Sequence, residues 1–149
     1  MGKSVLMSIH PYWVEHIFII QDKIFEVRKR APLLTPPYTV YVYCTLKPPY
    51  LEHKVPLANG EYMVDGCLNG FVVGEFTVTY NWERSAPWHN QSRGTCLTDR
   101  QLANYADGKD LVFMEIENPI LYTKPKNLKD FSVKRPPQNF QFVEEIKDG

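Results

Sequence analysis

Apolar and polar positions alternate along much of the chain with the two-residue period of half-buried β-strands. The segments with this alternation, or with short apolar runs of strand length, are rich in β-branched and aromatic residues. The predicted strands cover residues 4–9, 24–29, 39–45, 70–82, 111–123 and 139–143. Segment 39–45, TVYVYCT, has the strongest strand character. The pattern therefore predicts a protein built mainly from β-structure.

Two of the predicted strands contain an irregular position. Gly74 lies in the middle of GFVVGEFTVTYNW, and a glycine there indicates a bulge or the close approach of another backbone. Pro119 interrupts the segment 111–123, because proline cannot donate a ladder hydrogen bond. For Glu75 we favour an outward orientation, since an inward carboxylate needs a cationic partner.

Two segments have the 3.6-residue period of an amphipathic helix instead. The first covers about residues 11–22 and starts with Pro11, which suits the first helical turn. The second begins after Thr98, whose side chain is predicted to form a capping box with Gln101. Strands thus outnumber helices, and both helices are short.

Residues 46–68 follow neither pattern, since prolines, glycines and charges are mixed there. We expect a long loop excursion with room for a small hairpin. A layered parallel sheet would need more crossover helices than the chain offers. The predicted fold is therefore α+β and mainly β, a mixed β-barrel with two short peripheral helices, in a single domain spanning 1–149.

Composition limits the classes of function. The chain of 149 residues is long enough for one domain with a genuine core. Its 17 basic and 17 acidic residues cancel, so no overall positive field attracts it to nucleic acid. Any site for an anion must therefore be local.

Cysteine and histidine usage predicts neither a disulfide framework nor a metal site. His89 and Cys96 lie near each other, but no second pair completes a ligand set. We expect no cofactor. The N-terminal segment has no apolar run of signal-peptide length, and no window reaches the apolar length of a membrane span. These features predict a cytosolic protein of a reducing compartment, without a membrane partner.

The segment KIFEVRKR, residues 23–30, is the most highly charged part of a predicted strand. Strand alternation places Glu26 and Arg28 on one face and Lys23 on the other. Arginine offers a planar fork to phosphate or a base edge, and lysine a point charge. The segment fits an ordinary strand with a solvated ion pair, worth at most about 1 kcal/mol. It also fits one wall of an anion site.

Several blocks, taken in order, resemble the ASCH domain family, part of the larger group of PUA-like β-barrels. They are LMSIHPYWVEHIF, FEVRKR, VYVYCT, VVGEF and RPPQNFQFV, with a lysine between the first two, and they lie within residues 5–143. The resemblance implies a PUA-like barrel with a cleft beside the first helix. It also implies that this cleft binds RNA or modified nucleosides.

The family motif transfers to individual positions of this chain. Its recurring lysine and the polar or acidic residue three positions later match Lys23 and Glu26. The following arginine matches Arg28, and the serine of the first strand matches Ser8. With Tyr105 on the second helix, these are the predicted ligand-binding residues.

The resemblance also implies two enzymatic alternatives. Some small relatives hydrolyse the acetyl group from N(4)-acetylcytidine, and ribonuclease activity has been proposed for others. If the chain is an enzyme, Lys23 and Glu26 are the candidate catalytic residues. The acetylcytidine hydrolases carry threonine at the Glu26 position, so a carboxylate here implies a general base in place of a hydroxyl group.

Further basic residues are candidates for contacts to an RNA backbone. They are Lys29, Arg30, Lys124, Lys134 and Arg135. A solvated loop is the alternative explanation for the C-terminal members of this group.

Two other features have competing interpretations. Trp82 and Trp88, which we place in a loop, are either a stacking platform for a base or a lid over the barrel end. The 46–68 excursion is the basis of a third functional class, a protein-interaction module. That class predicts an exposed apolar patch around Tyr50, Leu51 and Leu57.

Overall fold

The computed structural model describes residues 3–146, with side chains from residue 4 onward. Eight strands lie in this range: β1 (Lys3–Ile9), β2 (Phe25–Arg28), β3 (Tyr38–Cys44), β4 (Glu52–Pro56), β5 (Tyr62–Cys67), β6 (Val72–Arg84), β7 (Leu111–Lys126) and β8 (Phe140–Glu144). The helices are α1 (Pro11–Glu15), which continues into a π-helical turn (His16–Ile20), α2 (His89–Thr95), α3 (Asp99–Ala106) and a 3-10 turn (Leu128–Phe131). The chain is mainly β, as its pattern predicts.

Six strands form one sheet in the order β2-β7-β6-β3-β1-β8, while β4 and β5 form a separate hairpin. β1 and β3 are parallel, and the other pairs are antiparallel. Within the described residues, backbone hydrogen bonds do not close this sheet, so the predicted barrel is not observed. Prolines lie just outside the two edge strands, Pro32 after β2 and Pro136 and Pro137 before β8, where they cannot donate ladder hydrogen bonds.

Side chains bridge the two ends of the sheet instead. Arg28, the last residue of β2, donates to Asn139 Oδ1 over 2.8 Å and to the Ser8 carbonyl over 3.0 Å. Asn139 in turn donates its amide to the Arg30 carbonyl over 3.1 Å and accepts the Ser8 backbone N–H over 3.1 Å. We call Ser8, Arg28 and Asn139 the seam. In a closed barrel, backbone hydrogen bonds between strands would join these two ends of the sheet. Here the side chains of Arg28 and Asn139 join them.

The sheet buries both of its faces, because side chains alternate along each strand. Val5 and Met7 of β1 pack into the main core with Val14 and Ile17 of the first helical segment. Leu6, between them in sequence, belongs to a second cluster with Tyr41. This packing holds α1 and its π-helical turn against the sheet.

Gly74 of β6 is a position of close approach, as its place in the strand predicts. A Cβ atom there would collide with the carbonyl oxygen of Ile120 and lie 2.8 Å from the Phe18 ring. We expect Gly74→Ala to lower the free energy of unfolding by about 1–3 kcal/mol, because backbone cannot move aside cheaply. Urea denaturation measures this. Thr79→Ala, at an exposed position of the same strand, should stay within about 0.5 kcal/mol of wild type. Equal stability of the two variants would contradict the prediction.

The segment around the tryptophans differs from the predicted loop. Trp82 lies within β6, and Trp88 immediately precedes α2. The Trp88 ring is buried and donates its N–H to the Arg84 carbonyl over 3.0 Å, so it is a core residue. The sequence HNQSRGT of α2 has no apolar periodicity that would indicate a helix. Its Gly94 packs directly against the Phe25 ring.

Two element boundaries and the surroundings of Glu75 also differ from expectation. α-Helical geometry ends at Glu15 and continues only as the π-helical turn. β7 runs past Pro119, because a change of register near Asn118, which has φ of 51°, absorbs the proline. Glu75 is half-buried and accepts the Tyr122 hydroxyl over 2.8 Å.

The 46–68 excursion contains the expected hairpin, but the predicted apolar patch is wrong in one member. Leu51 is only 7% exposed and packs in the main core, whereas Tyr50 is 67% exposed. His53 ties the hairpin to β7 through the Thr123 carbonyl, 2.8 Å away. None of the helices between residues 3 and 146 has the length and apolar character to cross a membrane.

Candidate functional site

A pocket of about 280 Å³ opens where α1, β2 and α3 meet beside the seam. It is lined by all five residues assigned to the cleft from sequence, namely Ser8, Lys23, Glu26, Arg28 and Tyr105. Ile9, His10, Trp13, Val27, Leu97 and Gln101 complete the lining. The structure thus brings the predicted residues together, while their role in binding stays a prediction.

Lys23 is a buried lysine at the back of the pocket, only 4% exposed. Its ammonium donates to the Thr95 carbonyl over 2.7 Å and lies 3.7 Å from Glu26 Oε1. It also lies 4.7 Å from the centre of the Trp13 ring. Strand alternation placed Lys23 opposite Glu26, which is wrong because Lys23 precedes β2 and is not in extended pairing.

The buried Glu26 and the half-buried Arg28 form an ion pair beside Lys23. Glu26 is 5% exposed, and its Oε2 accepts Arg28 Nε over 3.0 Å and Nη2 over 2.7 Å. The alternative of a solvated strand face is therefore wrong. Since Arg28 also holds the seam, its guanidinium fixes the carboxylate in one orientation.

Burial disfavours the charged forms of Lys23 and Glu26, whereas the attraction between opposite charges favours them. Burial acts to raise the pKa of Glu26, but the Arg28 guanidinium and then the Lys23 ammonium bring it below its ordinary value of 4.5. Burial lowers the pKa of Lys23, and the Glu26 carboxylate partly counters this effect. At neutral pH the pocket therefore holds an ionised Glu26 carboxylate between the Arg28 guanidinium and the Lys23 side chain.

The lowered pKa of Glu26 makes an acid-sensitive contribution to stability. Because the folded-state pKa lies below 4.5, this contribution is present above that value and is lost as pH falls through the folded pKa. We expect the free energy of unfolding of Glu26→Gln to fall less steeply with decreasing pH than that of wild type. Urea denaturation from neutral into acidic pH measures the slopes. Thr79→Ala, at an exposed position without an ionisable side chain, should keep the wild-type slope, and equal slopes for Glu26→Gln and wild type would contradict the prediction.

The candidate backbone contacts are spread unevenly around the pocket. Lys29 lies 5.1 Å from the ring centre of Tyr105 at the rim. Lys29 and Arg30 also line a second groove of about 910 Å³, which includes Trp82. Lys124 lies toward the opposite end of β7 from the segment that pairs with β2, so it is not on the same surface as Lys29 and Arg30. Lys134 and Arg135 are exposed in the segment that precedes β8.

Sequence reasoning missed two side chains of this site. Trp13 falls at the helical spacing expected of a core residue, yet it is half-buried and forms the pocket wall beside Lys23. Its helical spacing is the same for a core residue and for a pocket wall. Asn139 makes two of the hydrogen bonds of the seam, but in the sequence it stands out only as a member of the block RPPQNFQFV. A single asparagine between predicted elements gives no signal of its long-range partners.

No family model matches the chain, and no curated protein matches its sequence. Among solved structures, the ASCH protein from Zymomonas mobilis is similar with a TM-score of 0.68 at 18% identity, covering 95% of this chain and 88% of that one. Its serine-to-alanine and tyrosine-to-phenylalanine mutants match with the same score and identity, covering 89% and 91% of their chains. This chain has the ASCH-type fold, which confirms the resemblance at the level of fold.

Proposed function

We propose that this pocket binds RNA by taking up one unstacked base. The observation that carries the proposal is the cluster of buried Lys23 and Glu26 with half-buried Arg28, which faces a pocket of about 280 Å³. That volume lies near the small end of the range for ligand sites and suits a single base or nucleoside. Charged groups that are costly to bury are expected where a ligand needs them.

The cluster offers hydrogen bonds of both kinds to the edge of a base. Arg28 contacts Oε2 of Glu26, so Oε1 faces Lys23 and keeps lone-pair capacity for an exocyclic amino group. The ammonium and guanidinium groups can donate to carbonyl or ring nitrogen acceptors. Trp13 and Tyr105 supply aromatic surface at the pocket walls.

The second groove extends the proposal from one base to a strand. Lys29 and Arg30 are exposed where the pocket rim meets this groove, and Trp82 lies in its wall. Two cations next to an aromatic side chain suit a phosphate backbone with a stacked base. The occupant we propose is therefore single-stranded RNA, with one base in the pocket and its neighbour along the groove.

Fluorescence anisotropy with a labelled single-stranded RNA pool at several salt concentrations tests this function. Two phosphate contacts predict that the logarithm of affinity falls with the logarithm of salt concentration with a slope of about −1.4. Lys29→Ala with Arg30→Ala should bring the slope close to zero, whereas Lys54→Ala with Lys109→Ala, at exposed positions elsewhere, should leave it unchanged. Absence of binding by the folded wild-type protein would refute the proposal.

Hydrolysis of an acylated nucleobase such as N(4)-acetylcytidine is the second candidate. It is favoured by the convergence of Lys23 Nζ and Glu26 Oε1, which lie 3.7 Å apart in one pocket. The low pKa of Glu26 makes this carboxylate a weak general base, which is why we place binding first. Incubation with N(4)-acetylcytidine and RNA, followed by chromatography, distinguishes an enzyme from a protein that only binds RNA. Release of cytidine or cleavage of RNA that Glu26→Gln abolishes would establish an enzyme.

A further inference from the structure

Three side chains that could ligate a metal converge beside the pocket, and none of them lines it. His16 Nδ1 lies 2.7 Å from Asp22 Oδ1, and the ligand atoms of His16, Asp22 and Cys96 all lie within 4.8 Å of one another. Sequence spacing paired Cys96 with His89 and gave no complete set. The fold instead pairs Cys96 with residues more than seventy positions away. We propose that these three side chains bind one Zn²⁺ ion, with water as the fourth ligand.

The backbone holds the three ligands in place before any metal binds. The carbonyl of His16, in the π-helical turn, accepts the backbone N–H of Asp22 over 3.2 Å. On the other side, Ile24 N–H donates to the Gly94 carbonyl over 2.8 Å, and Lys23 Nζ donates to the Thr95 carbonyl over 2.7 Å. These bonds align residues 22–24 with residues 94–96, so Asp22 and Cys96 are brought to the same point.

The imidazole is also restricted in its orientation. Its ring centre lies 4.7 Å from that of Tyr12 and 6.0 Å from that of Trp13. The His16 side chain is 15% exposed and that of Asp22 49%, so an ion can enter from solvent. Partial burial with an open side leaves room for a water ligand.

The distances suit zinc after a small adjustment. Zinc bonds of about 2.0–2.3 Å in a tetrahedral site place neighbouring ligand atoms about 3.4–3.6 Å apart. The 2.7 Å contact between His16 and Asp22 must lengthen, and Cys96 must approach, each by about 1 Å of side-chain movement. Binding releases the Cys96 thiol proton to solvent, and the thiolate and carboxylate balance the charge of the ion.

The donor set selects the kind of ion. A thiolate, an imidazole and a carboxylate suit zinc and the neighbouring divalent transition metals, whereas Mg²⁺ and Ca²⁺ prefer oxygen ligands alone. Three protein ligands with one open position are typical of zinc sites that keep a water molecule. This inference is independent of the RNA-binding proposal, because none of the three proposed ligands, His16, Asp22 and Cys96, lines the pocket.

Titration of the full chain, free of any polyhistidine tag and stripped with a chelator, tests the site with Zn²⁺ and Co²⁺. We expect one Zn²⁺ per chain, and with Co²⁺ the charge-transfer absorption of a cobalt–thiolate bond. Cys96→Ser and His16→Gln should each weaken zinc binding by more than the roughly 10–100-fold that loss of an outer-shell partner costs. Two independent ligand variants keep the test valid if one fails to fold, which circular dichroism reports.

Cys67→Ser and His89→Gln are the matched controls. Cys67 is an exposed free cysteine on β5, and His89 is the histidine nearest to Cys96 in sequence. Both variants should bind zinc like wild type. No bound zinc, unchanged affinity in a folded Cys96→Ser protein, or an equal loss in the controls would each overturn the assignment.

Discussion

Arg28→Ala is expected to lower the free energy of unfolding by about 3 kcal/mol. This is the lower end of the loss found when one partner of a buried ion pair is removed. The substitution leaves the Glu26 carboxylate buried with only the Lys23 ammonium nearby, 3.7 Å away. It also removes the seam bonds to Asn139 and to the Ser8 carbonyl. Because no backbone pairing joins the edge strands β2 and β8 of the described sheet, these side-chain bonds hold the two ends of the sheet together. Urea denaturation measures the loss.

Two further variants separate the ion pair from the seam. Arg30→Ala removes an exposed arginine two residues away and should change stability by less than about 0.5 kcal/mol. Arg28→Ala combined with Glu26→Gln should recover part of the loss, since the uncompensated charge is gone while the seam remains open. If Arg28→Ala is as stable as Arg30→Ala, the seam does not hold the fold together.

The strands could be predicted from sequence because their signal is local. Alternation and β-branched residues mark TVYVYCT regardless of what pairs with it, and the capping box of Thr98 and Gln101 is present as predicted. The helix α2 could not be predicted this way. Its polar sequence is fixed by tertiary contacts, since the segment around Ile24 and Phe25 packs on Gly94 and bonds to its carbonyl. Local propensity does not contain such long-range contacts.

The site shows the same division between local and long-range information. The resemblance to ASCH domains picked out Lys23, Glu26 and Arg28, and the structure places all three in one pocket. The positions of these side chains could not be predicted from sequence. Asn139 holds Arg28 and Thr95 holds Lys23 by hydrogen bonds, and both partners lie far away in sequence. The sheet opening was likewise not predictable, since prolines near strand ends do not show which pairings are lost.

Lys23→Met is expected to separate stability from binding. Methionine has a similar length without charge, so it removes a buried ammonium whose desolvation its partners only partly offset. The Thr95 carbonyl loses a donor and Glu26 loses its second cation but keeps Arg28, while the thioether keeps a favourable contact with the Trp13 ring. These effects nearly cancel, and we expect the free energy of unfolding to stay within about 1 kcal/mol of wild type.

Binding should respond differently, because Lys23 lines the pocket and donates to the proposed ligand. Hydrogen bonds to charged groups contribute about 1.5–3 kcal/mol, so RNA affinity should fall about 10- to 100-fold. Denaturation and anisotropy on the same preparation measure both quantities, with Lys109→Met, at an exposed position, as the control. A loss of stability near that of Arg28→Ala would make Lys23 a structural residue. Unchanged affinity in a stable variant would instead place RNA outside this pocket. If Lys23 is retained for function, the variant should be as stable as wild type and should bind RNA more weakly.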